Sequence, residues 1–190
     1  MRGQVLDALR AALVSGDLAP GEVYSAPALG ERLGVSATPV REAMQELARE
    51  GAVEVVPNRG FRVTERTARE RAELAEVRAL IEVPVVLRLA RTVAAARWNE
   101  VRPAALETVA AASSGDLARY AEADRAFHRA VLSLGGNDQL VRVADDLRRR
   151  VVWAACDLAR DAAQHVALLD ALEREDTAAV GVLVREHFGG

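Results

Sequence analysis

The chain has 190 residues, half of them hydrophobic (51%) and only 4% aromatic, so a core can form but must be packed from Ala, Val and Leu. Its formal net charge of −3, with 25 basic residues that are all Arg, excludes a broadly cationic nucleic-acid coat. A single cysteine, Cys156, excludes an internal disulfide framework and fits a reducing compartment. The N-terminal MRGQVLDALR lacks the apolar centre of a signal peptide and no apolar run is long enough to span a bilayer, so a cytoplasmic protein with no membrane partner is expected.

Val5, Leu6, Leu9 and Leu13 recur at helical spacing and predict a first amphipathic helix ending at Ser15-Gly16-Asp17. A short second helix is expected from Pro27 to Leu33, with Ser25 or Ala26 at its start. Gly34-Val35-Ser36 then turns the chain into a third helix, Pro39 to Glu50, with Thr38 as N-cap, Pro39 at the first position and Gly51 as the stop. Val40, Ala43, Met44 and Leu47 make its apolar face, whereas Thr38, Arg41, Gln45 and Arg49 lie opposite with groups suited to phosphates or base edges. Val53 to Val56 and Phe61 to Val63 read as two strands joined by Pro57-Asn58-Arg59-Gly60, and no strand is evident outside residues 52–63. Three helices and a hairpin within about 65 residues describe a winged helix-turn-helix near the lower size limit for one core.

Residues 1–66 hold eight Arg against nine Asp and Glu, so DNA binding there must come from a few placed arginines. Arg41 is read as a DNA contact rather than a solvated partner of Gln45 or Glu42. Arg59 and Arg62 are read as wing contacts rather than ordinary turn and strand-edge charges, and Arg49, beside Glu46 and Glu50, as structural.

From Thr67 onward every element reads as helix. Leu74, Val77, Leu80 and Ile81 line a long one, in which Pro84 is expected to kink or break the run before it resumes to about Ala96. Further helices are predicted from about Asn99 to Ala112, Leu117 to Leu134, Gln139 to Leu158, Ala162 to Glu173 and Thr177 to Phe188, with Asp176 as a cap. The fold class is mainly α, divided at residues 1–66 and 67–190.

All three histidines fall in the helical part. His128 follows Asp124 by four residues, a spacing that stacks both on one helix face and suits chelation of one ion. His165 and His187 lie about equally far from the turn near Glu175-Asp176, so an antiparallel pair of helices can bring them level. The residues alone leave open a four-ligand metal site, a simple Asp–His ion pair and satisfied core histidines.

The N-terminal stretch resembles the DNA-binding domain of the GntR family of bacterial transcription regulators. The resemblance rests on Gly16, Leu18, Pro20-Gly21, Leu29, Leu33 to Ser36, Thr38 to Ala43, Leu47, Glu50-Gly51 and Asn58-Arg59-Gly60. It implies operator contacts by Ser36, Thr38, Pro39, Arg41, Gln45, Asn58, Arg59 and Gly60; Ala37 departs from the Arg often found there. Residues 67–190 resemble the FCD effector domain of the FadR subfamily, through Glu76-Val77-Arg78, Leu80 to Pro84, Asp124, Phe127-His128, Gly136-Asn137, Leu140, His165, Ala171-Leu172, Asp176 and Arg185 to His187. That resemblance implies one divalent metal per chain (Zn²⁺, Ni²⁺ or Mn²⁺) on Asp124, His128, His165 and His187. It also implies a small organic acid as effector, Arg78 and Asn137 as its contacts, and a homodimer on double-stranded operator DNA. Salt bridging to Glu82 is an equal reading of Arg78, and capping the favoured reading of Asn137. Gln164 departs from the family's usual Glu before His165. A regulator, not an enzyme, is expected; a sensor of the ion itself and a metal-dependent hydrolase are the alternatives.

Overall fold

The computed structural model describes residues 2–150 and 157–189, so Cys156 and the later part of the helix expected from Gln139 to Leu158 lie outside the described residues. The chain divides into two compact units, Met1–Thr67 and Ala68–Gly190.

In the first unit α1 (Arg2–Ser15), β1 (Val23–Tyr24), α2 (Ala26–Leu33), α3 (Ala37–Arg49), β2 (Val53–Val56) and β3 (Gly60–Val63) follow in order. Ser25 caps α2, its hydroxyl accepting from the Ala28 amide, and Gly34 ends it in the left-handed region at φ 67°. Gly30 has a tertiary role as well: a Cβ there would stand 2.7 Å from the Val35 carbonyl oxygen, so only glycine lets the turn fold back on α2. The third helix starts two residues earlier than its sequence predicts, at Ala37 with Ser36 as N-cap. Pro39 still falls in the first turn, where no intrahelical acceptor awaits its missing N–H. At the far end Gly51, at φ 72°, donates to Ala48 O and Ala52 to Leu47 O. This paired closure satisfies the last carbonyls.

β2 and β3 form the expected hairpin, with Val55 opposite Phe61. A third strand joins them: β1 pairs antiparallel with β3, Tyr24 opposite Phe61, giving the order β1-β3-β2. Two residues carry no periodicity, so this strand is invisible to pattern reading. Leu9, Leu18, Leu29, Val40, Met44, Leu47 and Val53 fill the core between the helices and the sheet.

The second unit is all helix: α4 (Ala68–Thr92), a 3-10 turn (Ala95–Glu100), α5 (Arg102–Ser114), α6 (Leu117–Ser133), α7 (Asp138–Arg148), α8 (Leu158–Glu173) and α9 (Thr177–Gly189). Of the kink or break expected at Pro84, the break does not occur: α4 runs through it as one helix. Pro84 and Leu80, whose carbonyl loses its amide partner, both lie on the exposed side, while Val85, Val86 and Leu89 are buried. Water can serve the freed carbonyl, and the apolar contacts on the inner side outweigh the loss. Asn99 belongs to the 3-10 turn, which buries Trp98, and Leu158 opens α8 behind the cap Asp157 instead of ending the helix before it. Trp98, Phe127, Leu169, Leu172, Val180 and Val184 form the main core.

Candidate metal centre and nucleic-acid interface

α6 carries Asp124 and His128 one turn apart and buries both. α8 contributes the buried His165. Glu175, in the left-handed region at φ 56°, lies in the turn to α9, which brings His187 back beside it. One donor atom from each of the four residues lies within 4.8 Å of every other. His128 Nε2 is 3.2 Å from His165 Nε2 and 3.1 Å from His187 Nε2. Asp124 Oδ1 is 3.4 Å from the first and 3.5 Å from the second of the buried imidazoles. Donors held about 2.1 Å from one ion stand about 3.0 Å apart at right angles and about 3.4 Å apart at the tetrahedral angle. Four of the donor spacings, 3.1 to 3.5 Å, are close to those values, and the widest pair of the set lies within 4.8 Å.

The outward nitrogens decide which tautomer each ring adopts. Thr108 gives its only hydroxyl proton to Ala105 O at 2.7 Å. It must therefore accept from His165 Nδ1, 3.1 Å away. His187 Nδ1 meets the Gln164 Oε1 acceptor at 3.1 Å and Asp161 Oδ1 at 3.4 Å. His128 Nδ1 faces Glu82 Oε2 at 3.4 Å. With every Nδ1 protonated, three Nε2 lone pairs point at one another and at Asp124 Oδ1, which is buried without a hydrogen-bond donor among the described residues. Lone pairs and a carboxylate oxygen converging in a buried space repel unless a cation sits among them. The donor set therefore fits a divalent metal ion.

Around the cluster lies a buried charge network. Arg148, the last residue of α7, bonds Asp124 Oδ2 at 2.9 Å and Glu82 Oε2 at 3.0 Å. Burial raises the Asp124 carboxyl, but Arg148 more than offsets it and holds it well below the usual carboxylate range. Glu82 is likewise opposed by burial and brought down to about 2 by Arg148 and His128. Burial pushes His165 and His187 well below the usual imidazole value, so both stay neutral as ligands must. Asp161, which accepts from Tyr120 Oη at 2.6 Å, is pushed up by burial and by Asp124.

Arg78 stands 3.6 Å from Glu82, with its guanidinium carbon 5.6 Å from the Phe188 ring centroid. Burial and then Arg148 lower it to about 10. Asn137 is exposed and caps α7, accepting from the Leu140 amide at 3.1 Å. That bond accounts for Asn137 without an effector.

In the first unit the inward side of α3 is buried at Val40, Ala43, Met44 and Leu47, while Ser36, Thr38, Arg41 and Gln45 are exposed. Ser36 makes no side-chain cap bond, leaving its hydroxyl and the first amides of α3 open. Arg49 pairs with Glu46 on the same helix, as its sequence position predicts. At the wing, Asn58 takes the left-handed conformation, φ 61°, and Asn58, Arg59 and Arg62 are exposed. Gly60 answers to packing: a Cβ would fall 2.2 Å from the Tyr24 carbonyl oxygen, so no other residue permits the β1–β3 pairing there.

The family model for bacterial regulatory proteins of the gntR family matches residues 1–63, and that of the FCD domain matches residues 73–190. This chain belongs to the GntR family and carries an FCD domain. The GntR-family chain is 31% identical over 179 residues to a protein described as a probable D-xylose utilization operon transcriptional repressor of Paenarthrobacter nicotinovorans, covering 91% of this chain and 79% of that one. It is 28% identical over 185 residues to the Nta operon transcriptional regulator of Aminobacter aminovorans, covering 92% and 87%. Among solved structures, E. coli McbR/YncC superposes with a TM-score of 0.76 at 25% identity, covering 99% of this chain and 93% of that one. The GntR-family chain is thus a transcriptional regulator, and its relatives bear the names of regulators, not enzymes. No helix among the described residues is long and apolar enough to cross a membrane.

Several residues around the cluster escape a reading of the GntR-family sequence. Arg148 and Thr108 touch partners 24 and 57 positions away, and no local pattern marks them. Asp161 had a signal: it precedes His165 by four residues, the spacing that singles out Asp124 and His128.

Proposed function

We propose that this chain is an operator-binding regulator of the FadR subfamily, acting as a homodimer in the cytoplasm. In this reading its DNA affinity is set by a small organic acid at a divalent metal held by Asp124, His128, His165 and His187. The observation that carries the effector half is the convergence of three Nε2 lone pairs on a buried, donorless Asp124 Oδ1. A bound divalent ion would offer its remaining coordination positions to a carboxylate. The protein's part is to hold the four donors in place. Thr108, Gln164 and Glu82 fix the ring orientations, and Arg148 occupies Asp124 Oδ2 so that Oδ1 alone faces the ion. Arg78 is the nearby guanidinium available to the acid, since its Nε has no hydrogen-bond partner among the described residues.

The DNA half rests on the exposed side of α3, with Ser36, Thr38, Pro39, Arg41 and Gln45, and on the wing tip, with Asn58, Arg59 and Gly60. The family binds operators through this domain, and a helix with an open N-terminus suits phosphate contact. Two copies supply the arginines that one acidic chain lacks. Val77 and Leu80 on α4, 44% and 69% exposed, offer apolar surface that a second copy would cover.

Native mass spectrometry of the full chain, beside an electrophoretic shift on its own upstream DNA, tests both halves. The expected result is a dimer with one metal ion per chain, lost in His165→Ala, and a sequence-specific shift. A folded, metal-free chain would remove the metal-anchored switch, whereas absence of a specific shift would remove the operator reading.

A further inference from the structure

The exposed side of α3 holds few groups able to reach a base edge, and that scarcity narrows the operator. Of its long polar side chains, Arg49 is held by Glu46, and the exposed Glu42 also has a partner. Ala37, at the first helical position, has only a methyl group to offer. Arg41 and Gln45 remain: both are exposed, and neither makes an ion pair or side-chain hydrogen bond among the described residues. They stand four residues apart, which puts them on one face about 6 Å apart along the axis. That span covers about two base-pair steps of a duplex whose strands rise about 3.4 Å per base.

We infer that each half-site of the operator is read at two base pairs, a guanine by Arg41 and an adenine one or two steps away by Gln45. The chemistry decides the bases. A guanidinium presents two parallel donors that match O6 and N7 of guanine. A carboxamide presents one donor and one acceptor, the complement of N7 and N6–H₂ of adenine in the major groove. Neither pairing survives exchange of the bases, because guanine has no donor at that edge for the Gln45 oxygen. Ala37 adds no second guanine contact, so the guanine at Arg41 is the strongest specified position. The inference rests on the reading of α3 as the DNA-contacting helix and adds to it which bases the helix selects.

Selection of binding sites from random-sequence duplex DNA with the full chain tests this, followed by the same selection with Gln45→Glu and Arg41→Ala. Gln45 is exposed, so its replacement leaves the fold intact. The wild-type chain is expected to enrich paired half-sites containing a guanine and an adenine one or two steps apart. A Glu at position 45 only accepts hydrogen bonds, and it should move the adenine preference to cytosine, whose N4 donates. Preference for the original base should drop about tenfold. In Arg41→Ala the guanine preference should vanish while the adenine preference stays. An enriched operator whose preferences are indifferent to Gln45→Glu would overturn the inference and leave the DNA-binding reading standing. Failure to enrich any sequence would overturn both.

Discussion

Thr108 shows how much one hydroxyl decides. Its proton is committed to Ala105 O, so it accepts from His165 Nδ1 and turns the Nε2 lone pair inward. Thr108→Val keeps the shape and removes the acceptor; metal affinity is expected to fall about 10- to 100-fold, read by competition with a chelator. Arg148 neutralises two buried carboxylates at once. Arg148→Met should destabilise the helical unit by roughly 3–5 kcal/mol in denaturant unfolding, because Asp124 and Glu82 then face each other without a cation. The histidines give a pH dependence with a definite sign. Folding lowers the affinity of His165 and His187 for protons, so below the ordinary imidazole value the unfolded chain binds more protons than the folded one. Chelator-treated protein should therefore lose stability as the pH falls below about 6.5, the unperturbed imidazole value, and thermal melts at pH 7.5 and 5.5 check it. The four cluster residues were legible in the sequence through a spacing and a resemblance. Their supporting residues were not, because Thr108, Glu82 and Arg148 meet the cluster only through tertiary packing.

At the scale of elements, local pattern locates the helices and long-range contact settles their ends and interruptions. Pro84 is the clearest case. Pattern reading expects a kink or a break there, yet the helix continues because the freed carbonyl faces solvent and the opposite side is buried. Pro84→Ala restores one backbone bond, offset in part by the greater freedom of the unfolded chain; a gain of about 1–2 kcal/mol in the helical unit is expected from thermal unfolding. Gly60 is the opposite case, a residue that reads as a turn and acts as a contact. Gly60→Ala would drive a Cβ into the Tyr24 carbonyl, and a loss of about 2–4 kcal/mol in the winged unit is expected, with β1 detached in amide-exchange measurements. β1 itself was missed for the same reason. A two-residue strand exists only because β3 arrives beside it.

For the molecule as a whole, the two units have separate cores and should respond separately. If a metal at about a thousandfold its dissociation constant occupies the cluster, it stabilises the helical unit by about 4 kcal/mol and the winged unit not at all. Chelation should accordingly lower one melting transition and leave the other in place, as differential scanning calorimetry can resolve.

The sequence by itself determined the mainly α class, the winged helix-turn-helix, the apolar and polar sides of α3, and the four residues of the candidate metal centre. The first three are written in local spacing, which the chain carries whatever it packs against; the four residues were joined by the Asp124–His128 spacing together with a family resemblance. Only the tertiary structure decided that α4 survives Pro84 and that β1 completes the sheet. It alone turned three imidazoles to face one carboxylate oxygen with Arg148 behind it. Those outcomes depend on which groups meet across tens of residues, and burial in a shared core sets that.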